Sequence, residues 1–161
     1  MTGRARPRWV KIGKSTAGTL LLVGAMAGGI RAAGTPEEIE YLPGPSGPSP
    51  RLSEAVRVGR MLYLSGKIGT LPGTRELAAG GIQGETRQAL ANIRDVVTRH
   101  GSSMARIVRC TVFLADIDEW SAMNDVYVTF FPTNPPARAA VAIDGLVLGA
   151  RVEIECLAVA R

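Results

Sequence analysis

Ile107-Val-Arg-Cys-Thr-Val-Phe-Leu114 is the stretch that decides the fold. Its β-branched and aromatic residues read as a strand, and apolar side chains on both faces mark it as a central one. Asp116-Ile-Asp-Glu119 then opens a helix, with Asp116 or Asp118 as N-cap. Trp120, Met123, Tyr127 and Phe130 recur every three or four residues, a stripe that reads as core rather than as a cofactor box. Pro132, Pro135 and Pro136 stop the helix.

Working outward, residues 81–100 form the other helix. Ile82, Thr86, Ala89, Ile93 and Val96/Val97 return at helical spacing, and Gly101 ends the run as a left-handed cap. Before it, Ala55–Val58 and Met61–Ser65 flank Gly59-Arg60 as a hairpin. After the second helix, Ala137–Ile143 and Arg151–Ala158 read as a strand pair joined by Asp144-Gly-Leu-Val-Leu-Gly149. The order β-β-α-β-α-β-β predicts an α/β (α+β) domain, a mixed sheet with two helices packed on one face. A chain this short has no spare element for the other face, so self-association is expected to cover it.

The chain has 161 residues and a formal charge of +5, but the charge is unevenly placed. Arg4, Arg6, Arg8, Lys11, Lys14 and Arg31 precede Gly34 with no acidic residue among them. Without them thirteen basic residues face fourteen acidic ones, so the domain itself gives little support to nucleic-acid binding. Residues 1–33 have the layout of a signal peptide: a basic start, an apolar stretch from Thr19 to Ile30, then small residues. Cleavage after Ala27 or near Ala32-Ala33 would give an exported, periplasmic protein with no stable membrane partner. An uncleaved anchor, or a mis-assigned start with a cytoplasmic product, are the alternatives. Residues 34–50 hold half of the ten prolines and read as a linker or extended arm, which places the folded domain at 51–161.

Cys110 and Cys156 both lie in strand runs. They read first as small buried hydrophobes, and a single disulfide is possible if the two strands are neighbours. His100, the only histidine, sits at a helix end in a structural role, which leaves little material for a Ser-His-Asp triad or a histidine metal site. No phosphate-loop or dinucleotide fingerprint is present.

The last two strand runs carry charge where core is expected. Arg151, Glu153 and Glu155 alternate with Val152, Ile154 and Cys156, and Arg138 shares a face with Ala140 and Ala142. A hairpin about residues 144–149 would set Arg138 across from Glu153 or Glu155. Either this is a surface salt bridge, or Arg138 offers its fork to a carboxylate ligand while Glu153 binds or activates water.

Several stretches now resemble one family. They are Leu52-Ser-Glu-Ala-Val56, Leu62-Tyr-Leu-Ser-Gly-Lys-Ile68, Glu85-Thr-Arg-Gln-Ala-Leu-Ala-Asn-Ile93, Val108–Leu114, Met123-Asn-Asp-Val-Tyr127, Pro135-Pro-Ala-Arg-Ala-Ala-Val141 and Val152-Glu-Ile-Glu-Cys-Leu-Ala158. In order and spacing they resemble the reactive-intermediate (imine/enamine) deaminases. The resemblance implies a chorismate-mutase-like fold and a homotrimer with ligand clefts between subunits. It implies hydrolysis of 2-imino and 2-enamino acids, such as 2-iminopropanoate or 2-aminoacrylate, to 2-keto acids and ammonia, without metal or organic cofactor. By the same resemblance Arg138 holds the substrate carboxylate, Glu153 positions or activates water, Gly66 supplies a backbone contact and Asn124 lies near the cleft. The chain departs from the family pattern at Leu52, Lys67 and Ala140, of which Leu52 and Ala140 line the expected substrate pocket. The alternative is a non-catalytic trimer of the same fold that binds a small carboxylate or acts as a holdase.

Overall fold

The computed structural model describes residues 37–161, so the expected signal segment lies outside the described residues. Seven strands form one mixed sheet: β1 (Ile39–Leu42), β2 (Ala55–Val58), β3 (Met61–Leu64), β4 (Lys67–Ile68), β5 (Ile107–Leu114), β6 (Ala137–Ala142) and β7 (Val152–Val159). The spatial order is β1-β2-β3-β7-β5-β6, with β4 also paired to β7. Helices α1 (Gly81–Arg99) and α2 (Trp120–Tyr127) pack on one face.

Helix α1 forms where its apolar residues repeat. Ile82, Thr86, Ala89, Ile93, Val96 and Val97 are all buried. At its end the Ser102 N–H donates to the Val97 carbonyl, 2.7 Å, and the Gly101 N–H to the Thr98 carbonyl, 3.2 Å, with Gly101 at φ 77°. These two bonds satisfy carbonyls that the helix leaves open, and only the left-handed glycine lets the chain turn to make both. Asp116 caps the one-turn helix before α2, accepting from the Asp118 N–H at 2.9 Å.

The core lies between sheet and helices. Val112 and Leu114 of β5, and Val152, Ile154 and Ala158 of β7, are fully buried against Leu90, Ile93 and Met123. Among the described residues nothing covers the opposite face, where Tyr63 and Val141 remain 46% and 42% exposed.

Three expectations need correction. First, pairing starts well before residue 51. Ile39-Glu-Tyr-Leu42 is free of proline and pairs with β2 on one side only, and Leu42 is buried. No proline falls between Pro36 and Pro43, so the arm carries a strand before it becomes irregular. Second, β6 and β7 do not form a hairpin. β6 runs parallel to β5, and β5 lies between it and β7. Nine residues separate β6 from β7, longer than the 2–5 typical of a hairpin loop. β5, α2 and β6 instead make a crossover unit that sets β6 beside β5. Third, Cys110 and Cys156 are register partners on β5 and β7 and are disulfide-bonded rather than free.

Candidate active site

Arg138 sits on the edge strand β6, directly beside Cys110 of β5. Residues paired in this way project to the same face, and Cys110 points into the core. Arg138 therefore turns toward α2. Its Nη2 donates to Asn124 Oδ1 at 2.8 Å, and its Cζ lies 4.4 Å from the Tyr127 ring centroid and 5.7 Å from that of Trp120. The stripe expected to be core is thus divided. Met123 and Tyr127 are buried, whereas Trp120 is 40% exposed and flanks the guanidinium.

Among the described residues no carboxylate lies within ion-pair distance of Arg138. The neutral amide of Asn124 and the π-faces hold the group in place but leave its charge uncompensated and its remaining donors available. A cavity of about 440 Å³ opens beside it, bounded by Asn124, Tyr127, Phe131 and Pro135. Burial pushes the Tyr127 phenol up to about 12 against the opposing charge of Arg138, so the hydroxyl stays protonated. That hydroxyl is buried and has no hydrogen-bond partner among the described residues, a state that costs about 1–3 kcal/mol.

Glu153 and Gly66 form a second grouping. Glu153 alternates with the buried Val152 and Ile154, which turns its side chain to the open face of the sheet. Its carboxylate lies against the backbone of Gly66: a Cβ placed there would fall 1.9 Å from Glu153 Oε1. Glycine is what permits that approach. Glu153 also makes no ion pair among the described residues.

One chain does not unite the two groupings. Arg138 is level with Cys110 and Glu153 with Phe113, so they stand two strands and three residues apart, roughly 14 Å between Cα atoms, on opposite faces. The expected pairing of Arg138 across from Glu153 or Glu155 is corrected by the parallel placement of β6. Ala140 lies two residues from Arg138 on the same face and packs against the core. Leu52 is 60% exposed before β2 and does not line the Arg138 cavity. Lys67 turns its amine to Glu54, 3.7 Å away, so that residue places no charge beside Glu153. Among the described residues no cluster of side chains is arranged to hold a metal ion, and no helix is long and apolar enough to cross a membrane.

Sequence reasoning missed Tyr127 and Trp120 as walls of the Arg138 site. The available signal was their i, i+7 spacing with Asn124 between them, which puts two rings and an amide on one side of α2.

The family model described as Endoribonuclease L-PSP matches residues 46–160. A goat protein named 2-iminobutanoate/2-iminopropanoate deaminase is 45% identical over 107 residues, 66% of this chain and 78% of that protein. Its human namesake is 40% identical over 117 residues, 73% of this chain and 83% of that protein. Among solved structures, E. coli TdcF with bound serine superposes with a TM-score of 0.65 at 32% identity, covering 79% of this chain and 99% of that one. A Rid-family protein from Yersinia pestis gives 0.70 at 33% identity, covering 76% and 99%.

Proposed function

The chain belongs to the Endoribonuclease L-PSP family, which includes the reactive-intermediate deaminases, and from that premise we propose that it hydrolyses 2-imino acids, formed directly or from their 2-enamino tautomers, to 2-keto acids and ammonia. The observation that carries this reading is the unbalanced guanidinium of Arg138, held by Asn124 and Tyr127 at the mouth of a cavity. A carboxylate ligand supplies the missing charge and engages the planar fork through two parallel hydrogen bonds.

The chemistry asks little more. Water adds to the C2 carbon, one proton passes to a base and returns to nitrogen, and the C–N bond breaks to release ammonia. In balance, R–C(=NH)–COO⁻ and H₂O become R–C(=O)–COO⁻ and NH₃. Glu153, unpaired and beside the Gly66 backbone, is the group we assign to take the proton from water. Orientation supplies the rest, since an imine carbon is already electrophilic.

Because the two groupings face apart within a chain, the working site joins Arg138 of one copy to Glu153 of another. A homotrimer, with the open sheet faces turned inward, is the assembly we propose. Export is part of the same proposal, supported by a bonded Cys110–Cys156 pair, since such bonds persist in oxidising compartments. The near balance of charge after Gly34 gives no support to the alternative in the family's name, an RNA-directed role.

The test is complementation. Arg138→Ala and Glu153→Gln should each lower kcat/KM for imine hydrolysis on the order of 100-fold or more. Unfolding the two variants together and refolding them as mixed oligomers should restore activity at about a quarter of the sites, those that receive one intact residue from each parent. Wild-type rates for Arg138→Ala would remove the anchor. Both variants inactive with no recovery on mixing would remove the shared site.

A further inference from the structure

The cavity beside Arg138 has a chemical bias that the deaminase reading does not require. Beyond Arg138, Asn124 and Tyr127 its wall is made by Val128, Phe131, Pro132, Pro135 and Pro136, none of which offers a side-chain hydrogen bond. Its volume of about 440 Å³ falls within the range of about 300–1,000 Å³ typical of small-molecule sites. A three-carbon acid anchored on Arg138 would leave most of this apolar wall untouched. A longer hydrocarbon side chain would cover it.

We propose that this site selects 2-imino and 2-oxo acids whose side chain is bulky and apolar, branched or aromatic, with the carboxylate on Arg138 and the side chain against Val128, Phe131 and the prolines. The inference rests on the anchoring role given to Arg138 above and extends it to the rest of the ligand. Two observations point to such an occupant. The charge of Arg138 has no counter-charge among the described residues, and the side chains that continue the wall away from it, Val128, Phe131 and the prolines, are apolar. An acid with an oxygen or nitrogen at C2 brings an anion and further polar atoms to one end and apolar surface to the other.

The wall is rigid by composition. Three prolines fix their own backbone, and Phe131 is buried against Tyr127 with ring centroids 4.8 Å apart. Val128 is the exception, 51% exposed at the cavity rim, so its replacement alters the cavity without disturbing the core. An apolar pocket distinguishes ligands by about tenfold or more for each methylene it accommodates.

The experiment measures two things on the full protein: binding of 2-oxo acids by calorimetry, and acceleration of imine hydrolysis with amino-acid oxidase as the imine source. For the wild type, 4-methyl-2-oxopentanoate and phenylpyruvate should bind at least about tenfold more tightly than pyruvate, and the leucine- and phenylalanine-derived imines should show the same ratio in kcat/KM over the alanine-derived imine. Val128→Trp, which fills the rim, should reduce that ratio about tenfold or more, and Val128→Ala should not reduce it. A wild type that binds pyruvate as tightly as the bulky acids would overturn the inference. So would a ratio that Val128→Trp leaves unchanged. If the binding ratio holds while no imine is hydrolysed faster than in buffer, the inference stands and the deaminase reading fails.

Discussion

Two charged groups mark two regions of this molecule, and they are handled in opposite ways. Glu54, 8% exposed, is closely partnered: Arg99 bonds it, His100 Nε2 lies 3.1 Å away and Lys67 Nζ 3.7 Å away. This cluster ties the C-terminal end of α1 to β4 and to the segment ahead of β2. Arg138, on the far edge of the sheet, has rings and an amide but, among the described residues, no counter-charge. A buried charge with a full set of partners has its demands met by the fold. A half-buried charge held only by neutral groups keeps its demand for an opposite charge open to something that arrives. The comparison separates a cluster completed by the fold from a proposed ligand site without appeal to sequence relatives.

The largest effect should come from breaking the satisfied side. Glu54→Ala leaves Arg99 and His100 without their acceptor, and removing one partner of a buried ion pair costs about 3–5 kcal/mol. Denaturant unfolding should show that loss, while kcat/KM of the folded fraction stays near the wild-type value. On the unsatisfied side, Arg138→Lys keeps the charge and loses the fork. It should lower kcat/KM by roughly 10- to 100-fold, the equivalent of about 1.5–3 kcal/mol for a charged hydrogen bond, with little change in the unfolding midpoint. The two variants should therefore exchange their effects: one changes stability, the other turnover.

Acid sharpens the contrast. Burial alone would raise the Glu54 carboxyl, but hydrogen bonds from Arg99 and His100 and the charges of Lys67 and Arg99 outweigh it and hold the group below the ordinary value of 4.5. A folded pKa below the unfolded one gives stability that is complete above about 4.5 and disappears as pH falls through the folded value. The wild type should lose stability in that window more steeply than Glu54→Gln, as followed by thermal melts across the acid range. The smallest effect belongs to Lys67→Met. Burial, and to a lesser extent Arg99, push the Lys67 amine down against the pull of Glu54, so the charge is poorly housed. Its removal should change stability by no more than about 1 kcal/mol in denaturant titrations.

Much of this was legible before any coordinates. The periods of α1 and β5, the Gly101 cap and the Gly59-Arg60 turn are local signals, and local signals are what a sequence records most directly. The β6–β7 pairing was not legible by the same means. Adjacent strands were assumed to neighbour one another, but β5 has two open edges, and the parallel crossover through α2 claims one of them. The same assumption sets Arg138 opposite Glu153 or Glu155. Both residues were recognisable from the type of side chain in mid-strand, whereas their separation depends on strand order, which no residue states. The Glu54 cluster went unseen because it gathers residues from β4, the end of α1 and the segment before β2, none of them close in sequence.

The Cys110–Cys156 bond joins positions 46 residues apart and so closes a covalent ring. Helix α2, strand β6 and the connection from β6 to β7 all lie inside it, and with them Asn124, Tyr127, Arg138 and Glu153. A ring of that size restricts the unfolded chain by about 4 kcal/mol on a chain-entropy model. It also changes what a protease can do. A single cut at the exposed Asp144–Gly145 turn opens the ring without freeing either fragment, so the nicked protein keeps both parts of the proposed ligand site tethered.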